Sequence, residues 1–218
     1  MKPPRFIFVV GPMRSGTSMA AKLLESHDDY TFGAGSVNDN GENTDFMAKN
    51  REVMRCTGGG ATRGIPTDAC RIASPLRVDL ENWLRHIESE QPEGGFVLKD
   101  PRACFTLGIW LSLVEDAAVV VCLRDLPCIA ESLMRTQRMD KAEATEHIGL
   151  YYECALRNLV DYKVPVVFVN YENLLTSPLD TLGPLGRRFH LTDELSTIGA
   201  FDFDVMDYGQ WHFRPEGE

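Results

Sequence analysis

Four short stretches of this 218-residue chain gather the side chains best able to handle an anionic group. Gly11-Pro-Met-Arg-Ser-Gly-Thr-Ser18 puts a cation, three hydroxyls and two glycines into one turn. Glu42 stands in Asp39-Asn40-Gly41-Glu42-Asn43. Lys99 and Asp100 belong to Leu98-Lys99-Asp100-Pro101-Arg102. Arg124 ends Val119-Val-Val-Cys-Leu-Arg124, and Ser132 follows eight residues later. Backbone N–H groups at a strand-to-helix turn, helped by an arginine and hydroxyls, cradle a phosphate or sulfate. An arginine at a strand end grips a second anion in bidentate fashion, and a serine on the next helix adds a hydrogen bond. A carboxylate within reach of a hydroxyl can take its proton.

The first stretch resembles a P-loop, GxxxxGK[ST], with one departure: Thr17 fills the lysine slot. The cation that normally reaches the outer phosphates is missing, and Arg14 supplies positive charge from inside the loop. That departure disfavours a magnesium-dependent kinase or NTPase, which needs the lysine and the metal against charge developing on the leaving phosphate. A strand-to-helix turn with no ligand is the competing structural reading.

The elements that must position these residues follow from hydrophobic pattern. Phe6 to Val10 is a continuous apolar run stopped by Gly11-Pro12, as in a parallel strand buried on both faces. Gly95 to Lys99, Val119 to Leu123 and Val164 to Val169 read as further strands. Between them, helices are predicted for Thr17 to His27, Thr44 to about Cys56, Val78 to Glu90 and Ala103 to Glu115. Another, capped by Asp125 with Pro127 in its first turn, runs to about Arg138, and a long amphipathic helix spans Lys141 to Asp161. A turn near Tyr171, a helix from about Pro178 to Phe189 and an aromatic stretch from Phe201 to Phe213 complete the chain. Gly33 to Gly41 and the segment from Gly58 to Gly64 read as loops, the latter a lid near the acceptor. Strands alternating with helices predict a single domain of three-layer α/β/α architecture, a mainly parallel central sheet with P-loop NTPase-like topology. Ligands then collect at the carboxyl ends of the strands.

Bulk properties narrow the function. A formal net charge of −10 opposes general attraction to nucleic acid or an anionic membrane. The apolar run Phe6 to Val10 is too short for a signal-peptide core or a membrane span, so no membrane insertion is expected. Six cysteines without a CxxC pair, several inside apolar runs, read as buried thiols of a reduced, cytoplasmic protein with no structural zinc.

Taken together, GPMRSGTS, LKDPR and VCLRDLPCIAESL resemble the sulfotransferases that use 3′-phosphoadenosine-5′-phosphosulfate (PAPS), particularly the bacterial type. The resemblance covers roughly residues 5 to 175. It implies that Arg14, Ser15, Gly16, Thr17 and Ser18 hold the 5′-phosphosulfate, that Arg124 and Ser132 bind the 3′-phosphate, and that Tyr171 touches the adenine. It implies Lys99 as the catalytic lysine. The family's arginine-lysine-glycine signature near the C-terminus is absent; Tyr208-Gly-Gln-Trp211 is only faintly similar to its later part, and Arg214 is a weak candidate for the 3′-phosphate.

Sulfuryl transfer is an in-line displacement at sulfur, which needs a positioned acceptor and charge stabilisation on the leaving oxygen, and no metal is required. Arg14 and Lys99 suit the electrostatic task. Glu42 is favoured as general base, since some bacterial relatives place a glutamate in a comparable loop. Asp100 is its rival, although ion pairing is expected to lower its pKa and make it a poorer base. It can instead orient Lys99 or Arg102. His147 is a weaker alternative. Trp110 reads as core. The expected reaction is transfer from PAPS to a hydroxyl of a small-molecule or carbohydrate acceptor. A P-loop nucleotide or small-molecule kinase, with Asp100 on the metal, and a non-catalytic nucleotide-binding protein are the alternatives.

Overall fold

A computed structural model describes residues 3–27, 29–57, 72–91, 93–177 and 181. Within them, the continuous apolar runs become strands: Phe6–Val10 and Gly95–Lys99 are buried along their whole length and Ala117–Leu123 as far as Cys122, whereas the edge strand Val166–Asn170 leaves Phe168 exposed. Strands β1 (Phe6–Val10), β2 (Tyr30–Thr31), β3 (Gly95–Lys99), β4 (Ala117–Leu123) and β5 (Val166–Asn170) form one parallel sheet in the order β2-β3-β1-β4-β5. All four pairings are parallel, with Phe6 opposite both Phe96 and Ala117.

Side chains alternate across that sheet and enter two separate cores. Phe6, Phe8, Val10, Phe96, Leu98, Val119 and Val121 join one core, and Ile7, Val9, Val97, Val120 and Cys122 join the other. The first is covered by α2 (Thr44–Cys56), α3 (Ser74–Glu90), α4 (Ala103–Leu111) and α6 (Lys141–Val160). The second is covered by α1 (Thr17–Glu25) and α7 (Tyr171–Thr176). Helix α5 (Leu126–Gln137) packs on α6 through Ile129, Leu133, Ala144 and Ile148. The molecule is therefore the expected three-layer α/β/α structure with a P-loop-like arrangement, β1 at the centre of the sheet and its loop at the carboxyl edge.

Each helix starts where local chemistry allows. The Asn43 side chain accepts from the Asp45 and Phe46 amides, Asp125 accepts from the Cys128 amide, and Asp140 with Glu143 forms a capping box. Helix α4 is apolar all round and wholly buried, and Trp110 lies in the core as read from the sequence.

Some boundaries differ from the sequence reading. Helix α3 begins at Ser74 rather than Val78, because Pro75 occupies its first turn, where a missing N–H costs nothing. Helix α4 ends at Leu111, and α1 at Glu25. Strand β2 was not anticipated: two residues are too few for any periodicity to show. The turn expected near Tyr171 is the helix α7, capped by the Asn170 side chain. The Gly58 to Gly64 loop, the helix expected from Pro178 and the aromatic stretch after Phe201 lie outside the described residues, apart from residue 181.

Candidate active site

The β1–α1 loop must turn sharply from the centre of the sheet into α1, and three of its residues take positive φ, Gly11 at 153° among them. Gly16 does so at 92° and Arg14 at 74°. For arginine this conformation is strained, and two contacts hold it. Arg14 Nε donates to Ser132 Oγ at 2.8 Å, and Arg124 Nη1 donates to the Arg14 carbonyl at 2.9 Å. Arg14, expected at one phosphate group, is thereby locked to Arg124 and Ser132, expected at another. Arg14's guanidinium is pulled below its ordinary value, first by burial and then by the charges of Arg124 and Arg135. Cations gathered this closely favour an anion between them.

Other features of the loop suit an anionic ligand. Helix α1 has no side-chain cap and no acidic residue in its first turn, so its leading N–H groups keep their hydrogen-bonding capacity. Ser15 is fully buried, yet its Oγ has no hydrogen-bond partner among the described residues, and Arg124 Nε is likewise sealed without one. A buried polar atom left unpaired is costly, so these groups mark where a ligand's oxygens would be welcomed. A phosphate or sulfate group fits this set.

Tyr171 packs against both the loop and Arg124. A Cβ at Gly16 would lie 2.4 Å from its Cδ2, and the Arg124 guanidinium sits 4.5 Å above its ring centroid. The ring is thus packed between the loop and the arginine, with 7% of the residue exposed. Glu172 completes the corner, its Oε1 accepting from the Asp125 amide at 3.1 Å and lying 4.0 Å from Arg124 Nε.

On the other side of β1, the end of β3 presents a basic and an acidic residue in succession. Lys99 is buried, and its ammonium donates to Ser18 Oγ at 3.1 Å and to Glu42 Oε1 at 2.7 Å. Glu42 Oε2 accepts from Asn38 Nδ2 at 2.7 Å. The loop holding Glu42 is tied to Asn38 again through the Glu42 amide and carbonyl. Burial pushes the Glu42 carboxyl up, but Lys99, Asn38 and Arg102 together outweigh it and hold the group below its ordinary value. Burial pulls Lys99 down, opposed by Glu42 and Asp100.

Asp100 faces the opposite way. Its Oδ1 accepts from the Arg102 amide and Nε at 3.0 and 2.9 Å, and its Oδ2 from Arg102 Nε and Asn50 Nδ2 at 3.1 and 3.0 Å. Of the two partners open to it in sequence, it orients Arg102. The expected lowering of its pKa is also corrected: complete burial pushes the carboxyl up against the pull of Arg102 and Asn50. Asn50 in turn accepts from Thr106 Oγ1 and Trp110 Nε1 at 2.6 and 2.8 Å, a network inside the core. His147 is buried in α6 with its ring centroid 4.2 Å from that of Tyr151, and burial lowers it. None of its hydrogen bonds among the described residues reaches Lys99, Glu42 or Arg14.

The comparisons with known proteins bear directly on this geometry. The family model described as the sulfotransferase family matches residues 4–194, nearly the whole chain. The chain belongs to the sulfotransferase family. Among solved structures, this sulfotransferase is similar to the sulfotransferase domain of the curacin biosynthetic pathway, with 16% identity and a TM-score of 0.60 over 89% of this chain and 77% of that one. It is also similar to a sulfotransferase of Mycobacterium tuberculosis, with 20% identity and a TM-score of 0.57 over 96% and 74% of the two chains. One from Alicyclobacillus acidocaldarius gives 15%, a TM-score of 0.56, and coverage of 88% and 83%. At these identities the likeness establishes the fold. No curated protein matches.

Three site residues of this sulfotransferase had no role in the sequence reading: Asn38, Asn50 and Glu172. Asn38 had a usable signal, since Asn38 and Glu42 flank a turn whose Gly41 takes φ 69°. Asn50 sits mid-helix, and nothing local points it at Asp100. Arg214, Tyr208 and Trp211 lie outside the described residues.

Proposed function

We propose that this protein transfers a sulfuryl group from PAPS to a hydroxyl of a small-molecule or carbohydrate acceptor. The observation that carries the reading is the buried chain Ser18 Oγ, Lys99 Nζ, Glu42 Oε1, which joins the end of the anion loop to a single carboxylate. Ser15, Gly16, Thr17 and Ser18, with the N-terminus of α1, would hold the 5′-phosphosulfate. Arg124 and Ser132 would hold the 3′-phosphate, and Arg14 links the two groups. Tyr171 serves the nucleotide site by backing Arg124 against the loop.

Glu42 is ionised at neutral pH and is the general base. As the acceptor oxygen bonds to sulfur, its proton passes to Glu42, the bond from sulfur to the phosphate oxygen breaks, and Lys99 and Arg14 meet the charge left on that oxygen. Lys99 thus touches both ends of the proton and charge movement. Asp100 is a positioning residue. Its oxygens are filled by Arg102 and Asn50, which argues against its service as a metal ligand in a kinase. The ordered Glu42 cluster argues against a purely nucleotide-binding role. The described cysteines all carry free thiols, which fits a cytoplasmic location, and no helix among the described residues is long and apolar enough to cross a membrane.

Calorimetric titration with 3′-phosphoadenosine 5′-phosphate, without metal, and separately with magnesium-ATP tests the reading. The bisphosphate should bind in preference. Arg124→Ala should weaken it by roughly one to two orders of magnitude, since each hydrogen bond to a charged group contributes about 1.5–3 kcal/mol. Preference for magnesium-ATP, or unchanged affinity in the variant, would remove the donor assignment.

A further inference from the structure

The donor site accounts for Arg14 and Arg124 but leaves a third, half-buried arginine with unused donors. Arg102 lies three residues after Lys99, at the start of α4. Asp100 fixes the root of its side chain through Nε, with both carboxylate oxygens within 3.1 Å. The side chain is 15% exposed, whereas Asp100 is sealed completely. Nη1 and Nη2 make no hydrogen bond among the described residues. They are also not among the sealed, unpartnered atoms, so they keep solvent contact.

Such a guanidinium is held rigidly at one edge and presents its other edge, the one that makes parallel paired bonds to a carboxylate or phosphate. If its task were only to neutralise Asp100, a single buried contact would have sufficed. Asp100 has no oxygen left to accept from the terminal nitrogens, because Asn50 fills the remaining position. Lys99, which donates to Glu42, ends the strand from which Arg102 follows three residues later, so both cations rise from the same end of β3.

We propose that Arg102 binds the acceptor, and that the acceptor carries an anionic group, a carboxylate, phosphate or sulfate, near the hydroxyl that receives the sulfuryl group. The inference rests on the sulfotransferase reading above. Three positive side chains then divide the work: Arg14 and Arg124 belong to the donor, and Arg102 selects the acceptor. The paired contact would also fix the orientation of the hydroxyl toward Glu42, since a bidentate grip leaves little rotation.

The test uses matched acceptors that differ only in charge: 4-hydroxyphenylacetate against 4-hydroxyphenylacetamide, and glucose 6-phosphate against glucose, extended to further hydroxy acids and sugar phosphates with their neutral counterparts. Label transfer from PAPS gives kcat/KM for each. The anionic member of a pair should be favoured by about tenfold or more, the effect of one charge-assisted hydrogen bond. In Arg102→Gln the ratio within a pair should collapse toward one, and Arg102→Lys should restore part of it, which a merely structural arginine would not do. Equal use of both members, transfer to no anionic member, or a ratio unmoved in Arg102→Gln would overturn the proposal. Bisphosphate titration of the same samples separates the failures: retained binding leaves the donor reading standing, and lost binding in the wild type brings down both.

Discussion

Two buried carboxylates flank the end of β3, and the cations paired with them, Lys99 and Arg102, stand three residues apart. Glu42 reaches Lys99 across the sheet edge, and Asp100 reaches Arg102 within its own turn. They differ in how far their bonding capacity is used. Asp100 accepts from the Arg102 amide, the Arg102 guanidinium and Asn50, and it is fully buried. Glu42 accepts one bond at each oxygen and keeps some exposure. Each oxygen therefore has a lone-pair position in hand, and a base needs one. In the proposed mechanism this difference, rather than proximity to a lysine, separates the base from the positioning residue. What matters is whether a carboxylate still has room for an incoming proton.

The largest test of that contrast is Glu42→Gln. The substitution keeps size and leaves an oxygen for Lys99, but removes the basic site. Transfer should fall by about 10²–10⁴ in kcat, the usual contribution of a positioned base, while bisphosphate affinity holds. Stopped assays of label transfer would measure it. Wild-type turnover in this variant would hand the role to another group, with His147 the first to examine.

Asp100→Asn should produce the complementary result. Arg102 would lose its counter-ion inside the protein, and the network through Asn50, Thr106 and Trp110 would be mispaired. Breaking one side of a buried ion pair costs about 3–5 kcal/mol, so the midpoint of urea unfolding should drop clearly. Activity per folded molecule should fall far less than in Glu42→Gln. A stable Asp100→Asn protein with no turnover would reverse the comparison.

How much of this was legible beforehand depended on distance along the chain. Strands β1 and β3 were read to their end residues, because a strand buried on both faces is a continuous apolar run with sharp stops. The two-residue β2 and the six-residue α7 offered too little pattern. The β1–α1 loop was legible for the same local reason, since its glycines, arginine and hydroxyls are contiguous. The pairings of the two buried carboxylates were not. Lys99 and Glu42 are 57 positions apart, and Asp100 and Asn50 are 50 apart. The residue types were visible there, but whether a carboxylate is half-used or saturated is set by the packing of α2 against α4 and the sheet.

The smallest expected effect is also the sharpest, because its sign separates a carboxylate from a histidine. Glu42's carboxyl is held below its ordinary value of 4.5, so its ionised form persists as the pH drops past that point. Its pairing with Lys99 contributes stability above the unfolded-state pKa and loses it only as the pH falls through the lower, folded value. The acid limb of kcat/KM should therefore lie below the usual carboxylate range. Asn38→Ala removes one of the contacts that lower the group while leaving its burial and Lys99 in place. The limb should move upward, by a modest amount, with the plateau rate retained. A limb that stays fixed in Asn38→Ala but disappears in His147→Gln would show that the proton goes to the imidazole, and that Glu42 serves only to hold Lys99.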